Sequence, residues 1–573
     1  MAFIVKKKIH DKEYYYLNEN KRVDGKVKTR TIAYLGKNKK EAKIKARKIL
    51  ENISKHSKAG EIMVKNKTTP ENLEKENANK TKKESEPEHK ELSIEELASF
   101  CKRKGFVYPS AEIYGGLAGF WDFGNLGVEL KNNIKKEWWK FHVSQREDIV
   151  GIDGSIITNP KVWEASGHTE NFIDVAVLNK KTGEKFKVDK FEAEKYKKNP
   201  GFEVQEEFNP MFTVNVGSVA SDSIKAYLRP ETAQLIFANF KTVYDNARLK
   251  LPCGIAQIGK SFRNEIAPRD FLFRSREFEQ MEIEYFIKKN MPCLYNIPEE
   301  EVLVYSASSQ EKNEEPRKMK ISEAFKKGII KKDWHAYWLA TELRWFKQLG
   351  ANPDKFRIRQ HLKNELSHYS TDTWDIEYKF PFGWRELEGI ADRGIFDLGQ
   401  HEKFSGKDLK IFDEDNKEKI IPEVICEPSL GVERAFLVFM FDSYYYDIGR
   451  ENIVLKLHPK LAPIKAAVFP IVKGKKFEKI AEEVVRNLRQ EWNVVYDKSG
   501  SVGRRYSRAD EIGVPIAIAV DGQSLKDKTV TLRDRDTTEQ IRVKVSEVKE
   551  IINKVISGKN LLDLGKIIKT RVR

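Results

Sequence analysis

The chain has 573 residues, 40% hydrophobic and 11% aromatic, enough for several domains with packed cores. No run approaches the roughly 18 apolar residues of a membrane helix. The four scattered cysteines, Cys101, Cys253, Cys293 and Cys426, form no CxxC pair, which argues against a disulfide framework or a zinc site and for a reducing cytoplasm. The formal net charge of +17 is unevenly placed, because residues 1–60 hold 18 Lys/Arg against 6 Asp/Glu, a net of +12. A basic module joined to a near-neutral body points to a polyanionic partner, most simply RNA. The start of the chain, Met1-Ala2-Phe3-Ile4-Val5-Lys6, lacks the apolar core and cleavage site of a signal peptide.

Residues 3–9, 13–17 and 28–35 read as strands, with Asp24-Gly25 as a hairpin turn. Residues 39–53 have helical spacing, so residues 1–56 are expected to form a small basic β-rich module. Residues 57–91 read as a linker, rich in Lys, Glu, Asn and Thr and poor in large apolar residues. Residues 92–461 read as the main domain, with charged insertions at about 180–208 and 290–332. Within it, Leu92 to Lys104 reads as a helix with Ser93 and Glu96 placed for a capping box. Asp122 to Gly127 reads as a turn, Val128 to Phe141 as a helix, and Ile149 to Ile157 as a strand. Two alternating runs, Ile255 to Arg263 and Glu277 to Ile287, form a long hairpin whose tip carries Arg269, Asp270, Arg274 and Arg276. Arg434 opens an apolar helix, and an arginine so placed suits a phosphate. Beyond Pro459 to Pro463, residues 462–573 alternate strand and helix as a small α/β domain. The fold class expected is α+β multidomain.

Ser261-Phe262-Arg263-Asn264-Glu265, then Phe278-Glu279-Gln280-Met281-Glu282, and far downstream Glu427-Pro428-Ser429-Leu430-Gly431-Val432-Glu433-Arg434, resemble motifs 2 and 3 of the class II aminoacyl-tRNA synthetases. With Arg229-Pro230-Glu231-Thr232 and Trp384-Arg385-Glu386-Leu387-Glu388-Gly389, they are similar to the glycyl-tRNA synthetase family in particular. The resemblance covers about 93–560. It implies an antiparallel-sheet catalytic core, activation of glycine with ATP and magnesium, transfer to tRNA(Gly), a cytoplasmic homodimer and no membrane. It also implies site roles. Arg263 and Arg434 are the catalytic arginines: Arg263 bridges the α-phosphate and the amino-acid carboxylate, and Arg434 lies by the γ-phosphate. Asn264, Glu265, Phe273, Arg274, Glu386, Leu387 and Gly431 complete the ATP site, with adenine between Phe278 and Arg434. Glu231, Phe278, Gln280, Glu282, Glu427 and Ser429 form the glycine site, and Glu386 and Glu427 hold magnesium through ATP.

Other stretches carry weaker expectations. Leu126 to Ile134 and Trp163 to His168 resemble the family's motif 1 region, which builds its dimer interface, and His168 reads as structural. Glu433 departs from the Asp or Gly usual in the family and is placed to pair with Arg434 or shift it. Gly503 to Pro515 resembles the family's anticodon-binding domain, read here as a loop in which Arg504, Arg505, Arg508 and Tyr506 contact tRNA, with Arg533 and Arg535 on a later hairpin. Residues 1–90 lie outside the resemblance and are faintly similar to small N-terminal domains of transposases. Two other readings stay open: a synthetase-like accessory protein without activity, as in mitochondrial DNA polymerase, and a class II synthetase for another amino acid. The four motif residues Arg263, Glu265, Phe278 and Arg434 argue against the first.

Overall fold

The computed structural model describes residues 2–9, 12–23, 26–36, 92–183, 185–217, 223–367 and 369–568. Met1–His89 and Lys90–Arg573 are two separate units. In the first, β1 (Ala2–Ile9), β2 (Lys12–Val23) and β3 (Lys26–Gly36) form an antiparallel meander. Its register sets position 16 beside positions 5 and 34. The helix expected over 39–53 and the linker expected over 57–91 lie outside the described residues.

The second unit opens on α1 (Ile94–Lys104). Ser93 and Glu96 form the expected reciprocal capping box, and Leu97, Phe100 and Cys101 make the buried stripe. α2 (Asn125–Trp139) begins before the expected position, so the anticipated turn at 122–127 is a short strand followed by the first helical turn. Gly127 is required there, since a Cβ would lie 1.8 Å from the Phe106 carbonyl oxygen. The next elements are β4 (Ile149–Ile152), α3 (Ala233–Asn246), β5 (Cys253–Phe262), β6 (Glu277–Ile287), β7 (Glu301–Tyr305), β8 (Arg317–Lys320) and α4 (Asp333–Gln348). They are followed by β9 (Phe356–Gln360), β10 (Asp372–Phe380), β11 (Gly383–Asp392), β12 (Glu423–Gly431) and α5 (Val432–Ser443).

Nine of these strands form one sheet in the order β8-β7-β9-β10-β11-β12-β6-β5-β4. It is antiparallel except where β4 meets β5 and β7 meets β9. α4 and α5 bury Trp334, Trp338, Phe346, Phe436 and Phe439 in one cluster with Met281, Ile283, Ile376 and Ile390 of the sheet. The segment 290–332, expected as an insertion, instead supplies β7 and β8, the edge of this sheet. Its high charge is that of an exposed edge strand. Residues 180–208, also expected as an insertion, contribute Lys185–Asp189 and Phe202–Phe208 to a three-stranded sheet whose central strand is Asp174–Asn179.

The C-terminal part follows the expected alternation. It contains β13 (Ala466–Pro470), α6 (Lys475–Leu488), β14 (Val494–Tyr496), α7 (Val502–Glu511), β15 (Ile516–Val520), β16 (Thr529–Asp534), β17 (Gln540–Lys544), α8 (Val548–Ile556) and β18 (Lys566–Ile568). The sheet order is β14-β13-β15-β16-β17-β18. The stretch expected as a loop around Arg504 is the helix α7, N-capped by Ser501.

Candidate active site

A cavity of about 380 Å³ opens over the middle of the nine-stranded sheet. Side chains two apart on a strand share a face, so Phe278, Gln280 and Glu282 of β6 face it together with Glu427, Ser429 and Gly431 of β12. Register locks these rows side by side: Glu282 pairs with Ser429 and Gln280 with Gly431, while Ala391 of β11 pairs with Glu427. Glu386 arrives through a bulge. Glu388 pairs with Ile376 but Glu386 with Glu377, which leaves Leu387 as the extra residue. Glu386 then faces the cavity, and Leu387 is fully buried in the core. The side chain of Leu387, expected at ATP, is therefore not part of the lining. Glu388 turns to the other side, where burial and then Glu342 of α4 push its carboxyl well above the usual range.

One end of the cavity is acidic. Glu231, Glu282 and Glu427 are all buried. Glu282 accepts hydrogen bonds from the Thr232 hydroxyl and, at 2.7 Å, from the Ser429 hydroxyl. Gln280 Oε1 accepts from the Ser261 hydroxyl at 2.7 Å and from Thr232 N at 3.1 Å. His168 Nε2 lies 3.3 Å from Glu231 and its Nδ1 2.8 Å from the Ser166 hydroxyl. The expectation of a structural His168 thus takes a specific form, in which it orients an acid of the cavity. Burial raises the Glu231 carboxyl, but the charges of His168, Arg393 and Arg263 outweigh this and hold it below the carboxylate range. Glu427 behaves oppositely: burial pushes it up to about 8, against the pull of Arg393 and with the repulsion of Glu282 and Glu231.

Sequence reasoning assigned no role to the residue that holds this end together. Arg393 is 1% exposed. It donates to Asp397 through Nε at 2.7 Å and Nη2 at 2.9 Å, and to Glu427 through Nη1 at 2.8 Å. Its guanidinium lies 3.7 Å over the Tyr369 ring. Gln234 Nε2 bridges Asp397 at 2.9 Å and Glu231 at 3.3 Å. The four-residue spacing of Arg393 and Asp397 was the legible signal. His361 was also missed. It lies 2.8 Å from Asp375, whose carboxyl is pushed up to about 6 by burial, against the His361 hydrogen bond and with Glu386.

The other end is basic. Arg263 donates from Nε to the Pro230 carbonyl at 3.0 Å and sits 5.5 Å from the Phe278 ring. Arg434, in the first turn of α5, donates from Nη1 to the Glu386 carboxylate and carbonyl, each at 3.0 Å. The charge of Arg434, opposed by burial, keeps Glu386 below its ordinary range. The aromatic partner of Arg434 is Phe273, 4.7 Å from its guanidinium. Phe278 and Arg434, expected to hold adenine between them, both line the cavity, where Arg263 lies by the Phe278 ring and Arg434 by the Phe273 ring. Glu265 and Arg274 also line the cavity, and Glu265 Oε2 is buried with no hydrogen-bond partner among the described residues. Asn264 lies outside the lining, its backbone N donating to the Pro210 carbonyl at 2.8 Å.

Glu433 does not pair with Arg434. It accepts from Lys131 of α2 at 2.7 Å and from Glu279 N at 2.9 Å. Lys131 also lies 3.2 Å from the Glu279 carboxylate. The longer acid therefore ties α2, β6 and α5 together and leaves Arg434 to Glu386.

Three of the five arginines expected to contact tRNA are buried and used internally. Arg505 is 3% exposed and donates to the carbonyls of Pro470, Lys498, Ser499 and Gly500. Arg533 makes a bidentate pair with Asp510 at 2.9 and 3.0 Å. Arg535 is held by Asp536 and the Gly513 carbonyl. These groups have exchanged solvent for protein partners and present no charge to a ligand. Arg504 and Arg508 are exposed on α7.

Residues 465–555 match the family model "Anticodon binding domain", and residues 4–66 match "IS1634 family transposase, N-terminal domain". The chain is 41% identical over 499 residues to the glycine–tRNA ligase of Thermobifida fusca, covering 82% of this chain and 99% of that protein. It is 43% identical over 499 residues to the glycine–tRNA ligase of Geobacillus thermodenitrificans (81% and 98%), and 42% identical over 468 residues to that of Borrelia hermsii (80% and 96%). In structure it resembles prolyl-tRNA synthetase from Cryptosporidium parvum, complexed with halofuginone and AMPPNP, at a TM-score of 0.50 and 15% identity over 81% of this chain and 77% of that one. That likeness fits the class II antiparallel core described above, and the sequence relatives carry the specificity: the chain belongs to the glycyl-tRNA synthetases, enzymes that join glycine to tRNA.

Proposed function

We propose that the cavity activates glycine by holding its ammonium group at the acidic end and ATP at the basic end. The observation that carries this is the polarity of a single small cavity, with Glu231, Glu282 and Glu427 at one end and Arg263 and Arg434 at the other. The glycine carboxylate attacks the α-phosphorus of ATP, a new O–P bond forms, and pyrophosphate leaves with the bonding pair. Two anions must approach, so positioning and charge neutralisation dominate. Arg263, at the basic end but with a charge that reaches Glu231, would neutralise both carboxylate and α-phosphate with a fixed fork. Arg434 would meet the outer phosphates. Phe278 offers a ring to the purine, and Glu265 Oε2, which accepts no hydrogen bond among the described residues and lies 4.0 Å from Arg274 Nε, offers an acceptor to its amino group. Gln280 and Ser429 fix the orientation of the acids. Walls fitted to glycine reject the alanine methyl by overpacking, worth about 1–3 kcal/mol.

Glu386 and Glu427 would hold magnesium together with the phosphates of ATP. Glu386 fits this role, since it lines the cavity and is kept anionic by Arg434, and magnesium favours few carboxylates plus phosphate oxygens; at Glu427 a cation would offset the burial that pushes its carboxyl up to about 8. It would supply neutralisation of the phosphate charge.

The domain division proposed is 1–56, 57–91, 92–461 and 462–573, the last part binding the anticodon. A homodimer is supported by an exposed apolar run beside α2, Ile113 and Tyr114 at 86% and Leu117 at 61% exposure; sedimentation at the mass of two chains tests it. A cytoplasmic location agrees with four free cysteines. Among the described residues, no helix is long and apolar enough to cross a membrane.

Two assays separate the two ends of this reading. Arg504→Ala with Arg508→Ala is expected to leave ATP–pyrophosphate exchange unchanged and weaken tRNA charging. Arg505→Ala is expected to lower the thermal midpoint of unfolding, because it strands four carbonyl acceptors. Equal loss of exchange and charging in the double variant would contradict an RNA role for α7.

The basic first unit is proposed to add affinity for RNA. A chain beginning at Leu92 is expected to keep glycine activation, show a raised KM for tRNA and lose part of the salt dependence of tRNA binding. Identical tRNA affinity and salt slope in both proteins would rule this out.

A further inference from the structure

A short linker, Pro459 to Pro463, joins the catalytic part to the C-terminal part. The buried core of the first ends at Leu461, and that of the C-terminal sheet begins at Ala466. Lys465 stands at this joint, one residue before β13, and is buried. Its backbone N donates to the Asn493 carbonyl at 3.0 Å, just before β14. Its side chain turns back instead. Nζ donates to the carbonyls of Pro459 at 2.8 Å, Lys460 at 2.7 Å and Ala462 at 2.8 Å. An ammonium group has three donors, and this one spends all three on the linker. Burial pushes it down to about 7, against the pull of Glu137.

The same linker is gripped from the catalytic side by α2. Asn133 Nδ2 donates to the carbonyls of Leu461 at 3.1 Å and Ala462 at 3.2 Å, and Glu137 lies 3.5 Å from Lys460 Nζ. The Ala462 carbonyl thus accepts from both Asn133 and Lys465. α2 also carries Lys131, which braces Glu433 and Glu279 beside the catalytic cavity, so linker and cavity share one helix. A hollow of about 170 Å³, lined by Glu129, Lys136, Glu491 and Trp492 among others, lies around these contacts. Polar contacts rather than close packing therefore span the joint here. A second line of contact runs from Arg450 to Asp510 at 3.2 Å and to the carbonyls of Arg535 and Asp536 at 2.7 and 2.8 Å. One such line leaves rotation about it free, and the knot at Lys465 removes that rotation.

We propose that Lys465 is a positioning residue for tRNA charging: with Asn133 it fixes the C-terminal part at the angle that lets one tRNA engage its anticodon site and the catalytic cavity together. The inference rests on residues 462–573 being the part that binds the anticodon. A ligand already held at one site meets the second as an intramolecular step, with an effective concentration set by the length and stiffness of the connection. Loosening the joint costs affinity for whole tRNA and leaves each site intact. Glycine activation needs no tRNA and does not depend on this angle.

The test compares the wild type with Lys465→Met, which keeps an apolar stem and removes the donors, and with Asn133→Ala, which removes the grip of α2 and leaves Lys465 in place. Three probes are used: glycine-dependent ATP–pyrophosphate exchange, binding of an isolated anticodon stem–loop RNA, and charging of full-length tRNA(Gly). Exchange and stem–loop binding report that each part is folded, and both are expected to stay within about twofold of wild type in either variant, while the KM for full-length tRNA rises about tenfold in Lys465→Met and about threefold in Asn133→Ala. The kcat at saturating tRNA should change little. A KM unchanged in both variants would overturn the proposal. So would a fall in exchange or stem–loop binding as large as the loss in charging in both variants, which would make the knot a support of the fold alone. Should Lys465→Met not fold, Asn133→Ala decides by the same readings. Absence of stem–loop binding in the wild type would strike the anticodon reading, and the proposal with it.

Discussion

Replacing Arg263 with alanine is expected to lower glycine-dependent ATP–pyrophosphate exchange by about 100- to 1000-fold, the usual cost of one preorganised donor in a charge-stabilising site. The reason is geometric. Among the described residues Arg263 donates only through Nε, to the Pro230 carbonyl, and its side chain lines the cavity at the basic end. Arg434→Ala is expected to fall in the same range, because Glu386 then loses the charge that keeps it anionic and the outer phosphates lose a counterion. Both variants should remain folded, since neither side chain belongs to the core clusters. Near-normal exchange in either variant would remove that arginine from the mechanism.

Arg393→Met is expected to have the largest effect on stability. The guanidinium is buried between Asp397 and Glu427, and deleting one partner of a buried ionic group typically costs about 3–5 kcal/mol by stranding the others. Asp397 is fully buried, so its charge cannot escape to water. Glycine activation should weaken as well, because Glu427 loses the donor that orients it. Adding Asp397→Asn to Arg393→Met should recover part of the thermal stability, since the stranded charge is then removed. A thermal midpoint equal to wild type in Arg393→Met would contradict this account.

What the sequence revealed follows from where the constraints are local. The hairpin of β5 and β6 was visible because its faces alternate with period two between Gly/Pro-marked ends. The capping box at Ser93 and the strand–helix alternation after Ala466 were visible for similar reasons. Less legible were features set by partners far along the chain. The bulge at Leu387 is a mismatch between β10 and β11, and no pattern within Trp384 to Gly389 reports it. Arg505, Arg533 and Arg535 look like surface cations in composition. Only the fold places Asp510 beside Arg533 and four carbonyls around Arg505. The converse holds for Glu433, which could be judged only against its neighbour Arg434 until α2 brought Lys131 to it.

The acidic end of the cavity was legible as a set of residue types and illegible as a machine. Glu231, Glu282 and Glu427 stand out as carboxylates in otherwise apolar or helix-starting stretches. Their unequal proton affinities come from His168, Arg393 and burial. Those are contacts across 34 or more residues of sequence, set by the sheet that draws the strands together.

The most direct test is ATP–pyrophosphate exchange measured with each of the twenty amino acids in turn. The account predicts exchange with glycine and, with alanine, a rate lower by a factor of roughly 5 to 150, the equivalent of about 1–3 kcal/mol of overpacking. Exchange with alanine or any larger amino acid at the glycine rate, or none with glycine, would contradict it.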